Sequence, residues 1–329
     1  MTLNHFIYKV ARPFGGLQVA RFLARNHPRI LMYHRISPDG APGTISVDQL
    51  RKQMKLIKKS FNPISLSKLI ELHEQGITPK HAVAVTFDDG YSDFADYAFP
   101  ILQEEGIPVT LFITTGFVNG DIWLWPDQIR YAVDNTKRKS FEFGEITGLH
   151  SPENRKSIIW DNLADHCLSL DNDRKLELIE SIYKKLGLDR PRKAPREYSS
   201  VTWGQIKSMI SYGLEIGSHS RTHPILTKID EEELIRELVG SRLDIIKNLD
   251  IYDMAFCFPN GKEGDYNLRI QKKIESIGYK FAIAAFPSSR PLENRWAVNR
   301  YPAGNDFERF RKNVFGVGYL KSVASIKIS

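Results

Sequence analysis

Short apolar runs alternate with helical patterns along most of the chain. Arg29-Ile-Leu-Met-Tyr-His34 reads as a short buried strand. Residues 46–60 follow as a helix, with Ser46 placed as N-cap and Val47, Leu50, Met54 and Ile57 recurring at helical spacing. A second helix is predicted over 65–75, ending before Gly76. His81-Ala-Val-Ala-Val-Thr-Phe87 is an apolar run closed by Asp88-Asp89-Gly90, the pattern of a buried strand and its turn. A helical stretch runs to about Glu105, and Gly106-Ile-Pro108 then leads into an apolar strand at 109–114. Residues 127–200 break this rhythm. They are mixed in charge and mostly helical in pattern, so they read as an inserted helical subdomain. The rhythm resumes with a helix at 203–212 and the run Gly213-Leu-Glu-Ile-Gly217. A helix over 231–249 starts at Asp230 with Glu233 three residues on. Strands are predicted at 254–258 and 279–285. Such alternation predicts an α/β fold built on a parallel sheet or barrel.

At 329 residues, the chain suits about two domains or one large barrel domain. Its 42% hydrophobic and 26% charged content excludes a disordered, collagenous or multispanning protein. Two cysteines, Cys167 and Cys257, exclude a disulfide scaffold and a cysteine-built zinc site. The net charge of +7 is concentrated at the ends: residues 1–29 and 309–329 each carry +5 and no acid, leaving the body slightly acidic. Basic ends argue weakly for a nucleic-acid partner, which needs a basic patch on the folded domain. They fit peripheral contact with an anionic membrane surface better. No stretch reaches the roughly 20 apolar residues that span a bilayer, and no secretion-signal pattern is apparent. Residues 3–24 mix apolar side chains with cations, which suits either an interfacial element or a helix packed on the domain's own surface. The expected location is the cytoplasm, at the inner face of the membrane. The expected organisation is a basic segment at 1–28, a main domain at 29–308 with its insert at 127–200, and a basic tail at 309–329.

Four places carry candidate chemistry. Thr86-Phe-Asp-Asp-Gly90 puts adjacent carboxylates at the C-terminal end of a strand, where α/β folds bind ligands; the bland reading is a turn. His219-Ser-Arg-Thr-His223 places two histidines four residues apart, a spacing that lets both face one metal, or simply a surface pair. Phe256-Cys-Phe-Pro-Asn-Gly261 is an apolar run ending in a turn. Met32-Tyr-His-Arg-Ile36 ends a strand with a histidine.

As a set, these motifs resemble the polysaccharide deacetylase family, the NodB-homology carbohydrate esterases. Thr86–Gly90 is similar to its first motif, His219–His223 to its second and Phe256–Gly261 to its third. Tyr33-His34-Arg35 and Trp123-Leu-Trp-Pro126 also resemble segments of bacterial members. The resemblance implies a distorted (β/α)7 barrel with a helical insertion. It implies a divalent metal, zinc first, held by Asp89, His219 and His223. It implies Asp88 as the base for a metal-activated water that attacks an acetamide, giving a free amino sugar and acetate. Pro259, Asn260, Tyr33 and Trp125 are expected at the substrate, with the Asn260 backbone N–H as a donor to the oxyanion. Trp123, Trp203 and Trp296 could stack on sugar rings, but core or rim packing is the favoured reading for each.

The chain departs from the family at two points. The third-motif arginine that braces the base is Cys257 here, and Arg300, in Asn299-Arg-Tyr-Pro302, is the candidate to replace it. No histidine follows His223 to match the family's last motif, which supplies the general acid; His34 is the candidate left for that role, and metal-bound water or a substrate group is the alternative. The expected substrate is an N-acetylated amino sugar in a bacterial surface polysaccharide, or a lipid- or nucleotide-linked precursor of one. A non-catalytic glycan-binding module and an O-acetyl esterase are the alternatives.

Overall fold

The computed structural model describes residues 15–140, 143 and 156–326, with only the backbone for 322–326. Ten short strands are found among these residues: β1 Arg29–Tyr33, β2 Ile36–Ser37, β3 Ile45–Ser46, β4 Asn62–Pro63, β5 Ala82–Phe87, β6 Val109–Ile113, β7 Glu215–Ser218, β8 Phe256–Cys257, β9 Ala282–Ile283 and β10 Tyr301–Pro302. Seven of them run parallel in the order β10-β1-β5-β6-β7-β8-β9, and β4 pairs with the start of β5. One segment joins the two edges of this curled sheet. Val298 bridges Ile283 in parallel, and its N–H donates to the Ala282 carbonyl at 2.9 Å. Three residues on, Tyr301 and Pro302 pair with Leu31 and Met32 of β1. The result is the NodB-type barrel that the sequence predicted.

The helices are α1 Gly16–Leu23, α2 Val47–Ser60, α3 Leu66–Glu74, α4 Phe99–Glu105, α5 Thr115–Asn119, α6 Trp125–Asn135, α7 Lys156–Ser169, α8 Asn172–Leu186, α9 Trp203–Ile210, α10 Glu231–Leu249, α11 Leu268–Ile277, α12 Phe307–Val314 and α13 Val317–Ile326. Ser46, Ser65 and Asp230 cap α2, α3 and α10, accepting the Gln49, Lys68 and Glu233 N–H groups. Strand residues then sort by parity. Leu31, Tyr33, Val85, Phe87 and Leu111 pack outward with Leu50, Met54 and Ile57 of α2. Ile30, Ala84, Phe112, Cys257 and Ile283 pack together inside the barrel, along with Leu69 and Ile70 of α3. This interior is tight: a Cβ at Gly217 would stand 2.3 Å from the Phe112 ring.

The insert has its own core, in which Ile129 and Val133 of α6 meet Ile159 and Leu163 of α7 and Ile179 and Ile182 of α8. Its first helix starts at Trp125, two residues before the expected boundary. Helices α12 and α13 fold within the expected basic C-terminal segment: Phe310 and Val314 are buried, and Phe315 packs edge-on to Phe61 at 5.3 Å. Residues 1–14 lie outside the described residues, while α1 follows them and packs against α13. No helix among the described residues is long and apolar enough to cross a membrane.

Candidate active site and metal centre

The chemistry gathers at the C-terminal ends of the strands, where strand turns into loop. Asp88 and Asp89 follow β5. The Asp88 N–H is held by the Tyr33 carbonyl at 2.9 Å, and Asp89 adopts φ +74°. His219 follows β7, its N–H donating to the Ile113 carbonyl at 2.8 Å. A turn through Ser220 (φ +63°) brings His223 (φ +63°) back beside it, with the two ring centroids 4.8 Å apart. Glu237 of α10 holds this turn, accepting the Arg221 and Thr222 N–H groups and the Thr222 hydroxyl at 2.6–2.8 Å. Gly116 lets the turn seat against α5, since a Cβ there would lie 2.6 Å from the Arg221 carbonyl oxygen.

Nε2 of His219 and Nε2 of His223 each stand 3.4 Å from the same oxygen, Asp89 Oδ1. One ligand atom from each of the three residues lies within 4.8 Å of the others. Asp89 Oδ1 is buried without a hydrogen bond among the described residues, a costly state for a carboxylate oxygen unless a cation satisfies it. His219 Nδ1 is 2.9 Å from the Cys257 carbonyl, which can only accept. Nδ1 therefore carries the proton, and Nε2 points its lone pair at the shared oxygen. Burial and the neighbouring His219 push His223 down to about 3, so its ring is neutral, the form that ligates. An acid and two imidazoles converging this way fit a divalent ion such as zinc.

Asp88 lies alongside, 2% exposed, with its two oxygens held by both terminal nitrogens of Arg300 at 2.7 Å. The Arg300 guanidinium also donates to the Ala284 carbonyl at 3.0 Å and to Thr86 Oγ1 at 2.9 Å, and lies 3.1 Å from Cys257 Sγ. Arg300 sits on the segment that closes the barrel, which is how a residue 212 positions away reaches the β5 turn. Burial pushes the Asp88 carboxyl up, but the guanidinium prevails and holds it below the usual carboxylate value. His34 Nε2 is 3.9 Å from Asp88 Oδ2, on a side chain 45% exposed to the cavity.

That cavity has a volume of 1410 Å³. Asp88, Asp89, His219 and His223 lie at its base, Trp125 and Trp160 come from the insert, and the loop at 41–44 lines another side. Asn260 and Phe258 also line it, whereas Pro259 does not. Tyr33 is a correction: it points outward, stacks on Phe87 at 4.9 Å and donates its hydroxyl to Gln53 at 2.7 Å. Trp123 is buried against Tyr131 and Tyr198, and Trp203 and Trp296 pack on the outer core, so none of the three lines the cavity. Sequence reasoning missed a charged wall. Arg35 lies over the Tyr91 ring at 4.4 Å and bonds Asp93 at 3.1 Å, while the Tyr91 hydroxyl donates to Asp127 at 2.6 Å. Burial pushes Asp127 up to about 7, overriding Arg35. The signal for Asp127 was present in Trp125-Pro126-Asp127, where a proline opens a helix and an acid follows in its first turn.

A parallel barrel with an acid pair and a histidine pair at its strand ends belongs to the NodB-homology class of carbohydrate-acting barrels. The chain is a member of the polysaccharide deacetylase family, whose model matches residues 75–161 and 179–282. It is 28% identical over 134 residues to the poly-beta-1,6-N-acetyl-D-glucosamine N-deacetylase of Staphylococcus aureus (strain MSSA476), covering 40% of this chain and 42% of that one. It is 32% identical over 78 residues to the Escherichia coli (strain K12) protein of the same name, covering 22% of this chain and 12% of that one. It thus spans less than half the length of these curated relatives. IcaB from Ammonifex degensii superposes with a TM-score of 0.58 at 15% identity, over 87% of this chain and 94% of that one. The Streptococcus pyogenes deacetylase PplD superposes with a TM-score of 0.55 at 18% identity, over 85% and 93%. At such identities, these likenesses speak for the fold.

Proposed function

We propose that the protein is a divalent-metal-dependent N-deacetylase that removes acetyl groups from amino sugars of a bacterial surface polysaccharide, with β-1,6-linked N-acetylglucosamine the first substrate to test. The observation that carries this reading is the convergence of both imidazoles on Asp89 Oδ1 with an arginine-braced Asp88 beside it. An ion held by Asp89, His219 and His223 would polarise the acetamide carbonyl and acidify a water. Asp88, kept ionised and oriented by Arg300, takes a proton from the attacking water. The backbone N–H of Asn260, a residue that lines the cavity, would donate to the oxygen that gains charge as the carbonyl carbon becomes tetrahedral. His34 gives a proton to the sugar nitrogen as the C–N bond breaks, releasing acetate and the free amine. Trp125 and Trp160 offer apolar faces to the sugar ring.

The test is acetate release from N-acetylglucosamine oligomers by the metal-loaded protein, with Asp88→Asn as control. Turnover by the native chain, falling on the order of 10²–10⁴-fold in the variant, supports the enzyme. Oligomer binding without acetate release would make the protein a glycan-binding barrel. Release from O-acetylated sugars alone would make it an esterase.

A further inference from the structure

The barrel end opposite the cavity carries a surface that this chemistry does not use. The Arg25 carbonyl accepts the His81 N–H at 2.6 Å, and Arg21 reaches the Ser60 carbonyl. Arg29, the first residue of β1, donates to the Ala24 carbonyl at 2.8 Å. These contacts fix α1 at the N-terminal ends of β1 and β5. The length of β5 separates that face from Asp88, a rise of roughly 20 Å. On α1, Leu17 and Ala20 are buried, whereas Val19, Phe22 and Leu23 are 56%, 59% and 58% exposed. The Arg25 guanidinium lies over the Phe22 ring, 4.3 Å from its centroid. His81 reports the local field: besides burial, the charged groups Arg21, Arg29, Arg25 and Lys80 all push its pKa down. Helix α13, from the other acid-free basic segment, packs against α1.

We propose that this face docks peripherally on an anionic lipid bilayer, with Val19, Phe22 and Leu23 in the interface and Arg25 and Lys80 over the lipid phosphates. Adjacent apolar and cationic side chains on one helix match the two layers of a membrane surface. A second copy of the chain would set cations against cations across a two-fold axis. A nucleic acid would leave the three apolar side chains without a partner. One consequence rests on the deacetylase reading above. The cavity opens at the other end of the strands, so a docked protein presents it away from the bilayer. The acetylated sugar is then met in the aqueous phase, not at the lipid headgroup.

The test is flotation of the full chain with phosphatidylcholine vesicles, with and without phosphatidylglycerol, at low and high salt. Binding to the anionic vesicles, weakened by salt and absent from neutral ones, is expected. Arg25→Gln with Lys80→Gln should weaken it roughly thirtyfold, at about fivefold per cation. Val19→Ser with Phe22→Ser and Leu23→Ser should abolish it. All three positions are exposed, and circular dichroism checks that both variants remain folded. Acetate release from soluble oligomers, an independent measurement that reports on the deacetylase reading alone, should be unchanged in both. Native protein that fails to float with anionic vesicles overturns the proposal, as do variants that float like the native chain. So does a dimer in solution that the apolar variant dissociates while native protein ignores vesicles.

Discussion

Replacing Arg300 by methionine keeps much of the side chain's length and removes its charge. Asp88 would then be a buried carboxyl beside the Cys257 thiol, 3.6 Å away, His219 and His34, with no guanidinium to hold its charge. In the native site, burial raises its pKa and the guanidinium more than offsets it. An arginine in contact lowers a carboxyl pKa by roughly 1–3 units, so losing it restores at least that much. At about 1.36 kcal/mol per unit, this corresponds to about 1.4–4 kcal/mol. Stranding one partner of a buried pair costs about 3–5 kcal/mol if the charge is kept, so Asp88 is expected to take up a proton instead. The sign follows from the depressed native value. The native pair stabilises the fold above the unfolded carboxyl pKa of about 4, and that contribution is lost as pH falls through the lower folded value. In Arg300→Met the folded pKa lies above the unfolded one, so the stability gap between the two proteins widens as pH rises. The assay is kcat/KM against pH with an N-acetylglucosamine oligomer, alongside thermal melts and metal analysis. The acid limb should move up by about 1–3 units with metal content intact, because Arg300 touches none of the three ligands. Arg300→Lys, which keeps the charge but loses the two-pronged contact, should fall between. An unmoved limb at full rate in Arg300→Met would refute the reasoning.

Two further predictions concern the residues around the metal. His219→Ala removes one of three convergent ligands and leaves Asp89 Oδ1 with His223 alone, so zinc affinity by titration calorimetry and acetate release should fall together; full metal retention would contradict the assignment. His34→Gln should slow acetamide hydrolysis on the order of 10²-fold or more, yet spare hydrolysis of an activated aryl acetate, whose leaving group needs no proton. Equal losses on both substrates would remove His34 from the acid role.

The barrel was legible because its strands are apolar runs that end in chemically distinct turns, and each turn residue inherits its place from the strand before it. That logic also contained the error at Tyr33. In a strand, neighbours face opposite sides, so His34 in the cavity requires Tyr33 to point outward, where Phe87 and Gln53 receive it. The C-terminal helices were legible too. Phe307, Phe310 and Val314 recur at helical spacing behind Asp306, which caps α12, but the run of cations drew the reading toward a tail. Arg300 was nameable as a candidate but not placeable. Its reach depends on residues 298–302 bonding to both sheet edges at once, a long-range closure that no local pattern encodes.

The cavity's charged wall shows why the remainder needed coordinates. Arg35, Asp93, Tyr91 and Asp127 come from three separate segments, and each alone looks like an ordinary surface residue. Their meaning lies in burial. Asp93 is pushed up to about 6 and Asp127 to about 7, burial being the largest cause for both, although Arg35 lies 3.1 Å from one and 4.0 Å from the other. Asp127 is carried by the insert, and Arg35 follows His34 directly in the chain. Through Tyr91, whose hydroxyl donates to Asp127 and whose ring lies under Arg35, this cluster ties the insert to the strand end that holds the proposed acid, so the helical subdomain that shapes the cavity also braces part of its chemistry. An insert that served only as a lid would need no such buried polar tie, which costs more to desolvate than an apolar contact would.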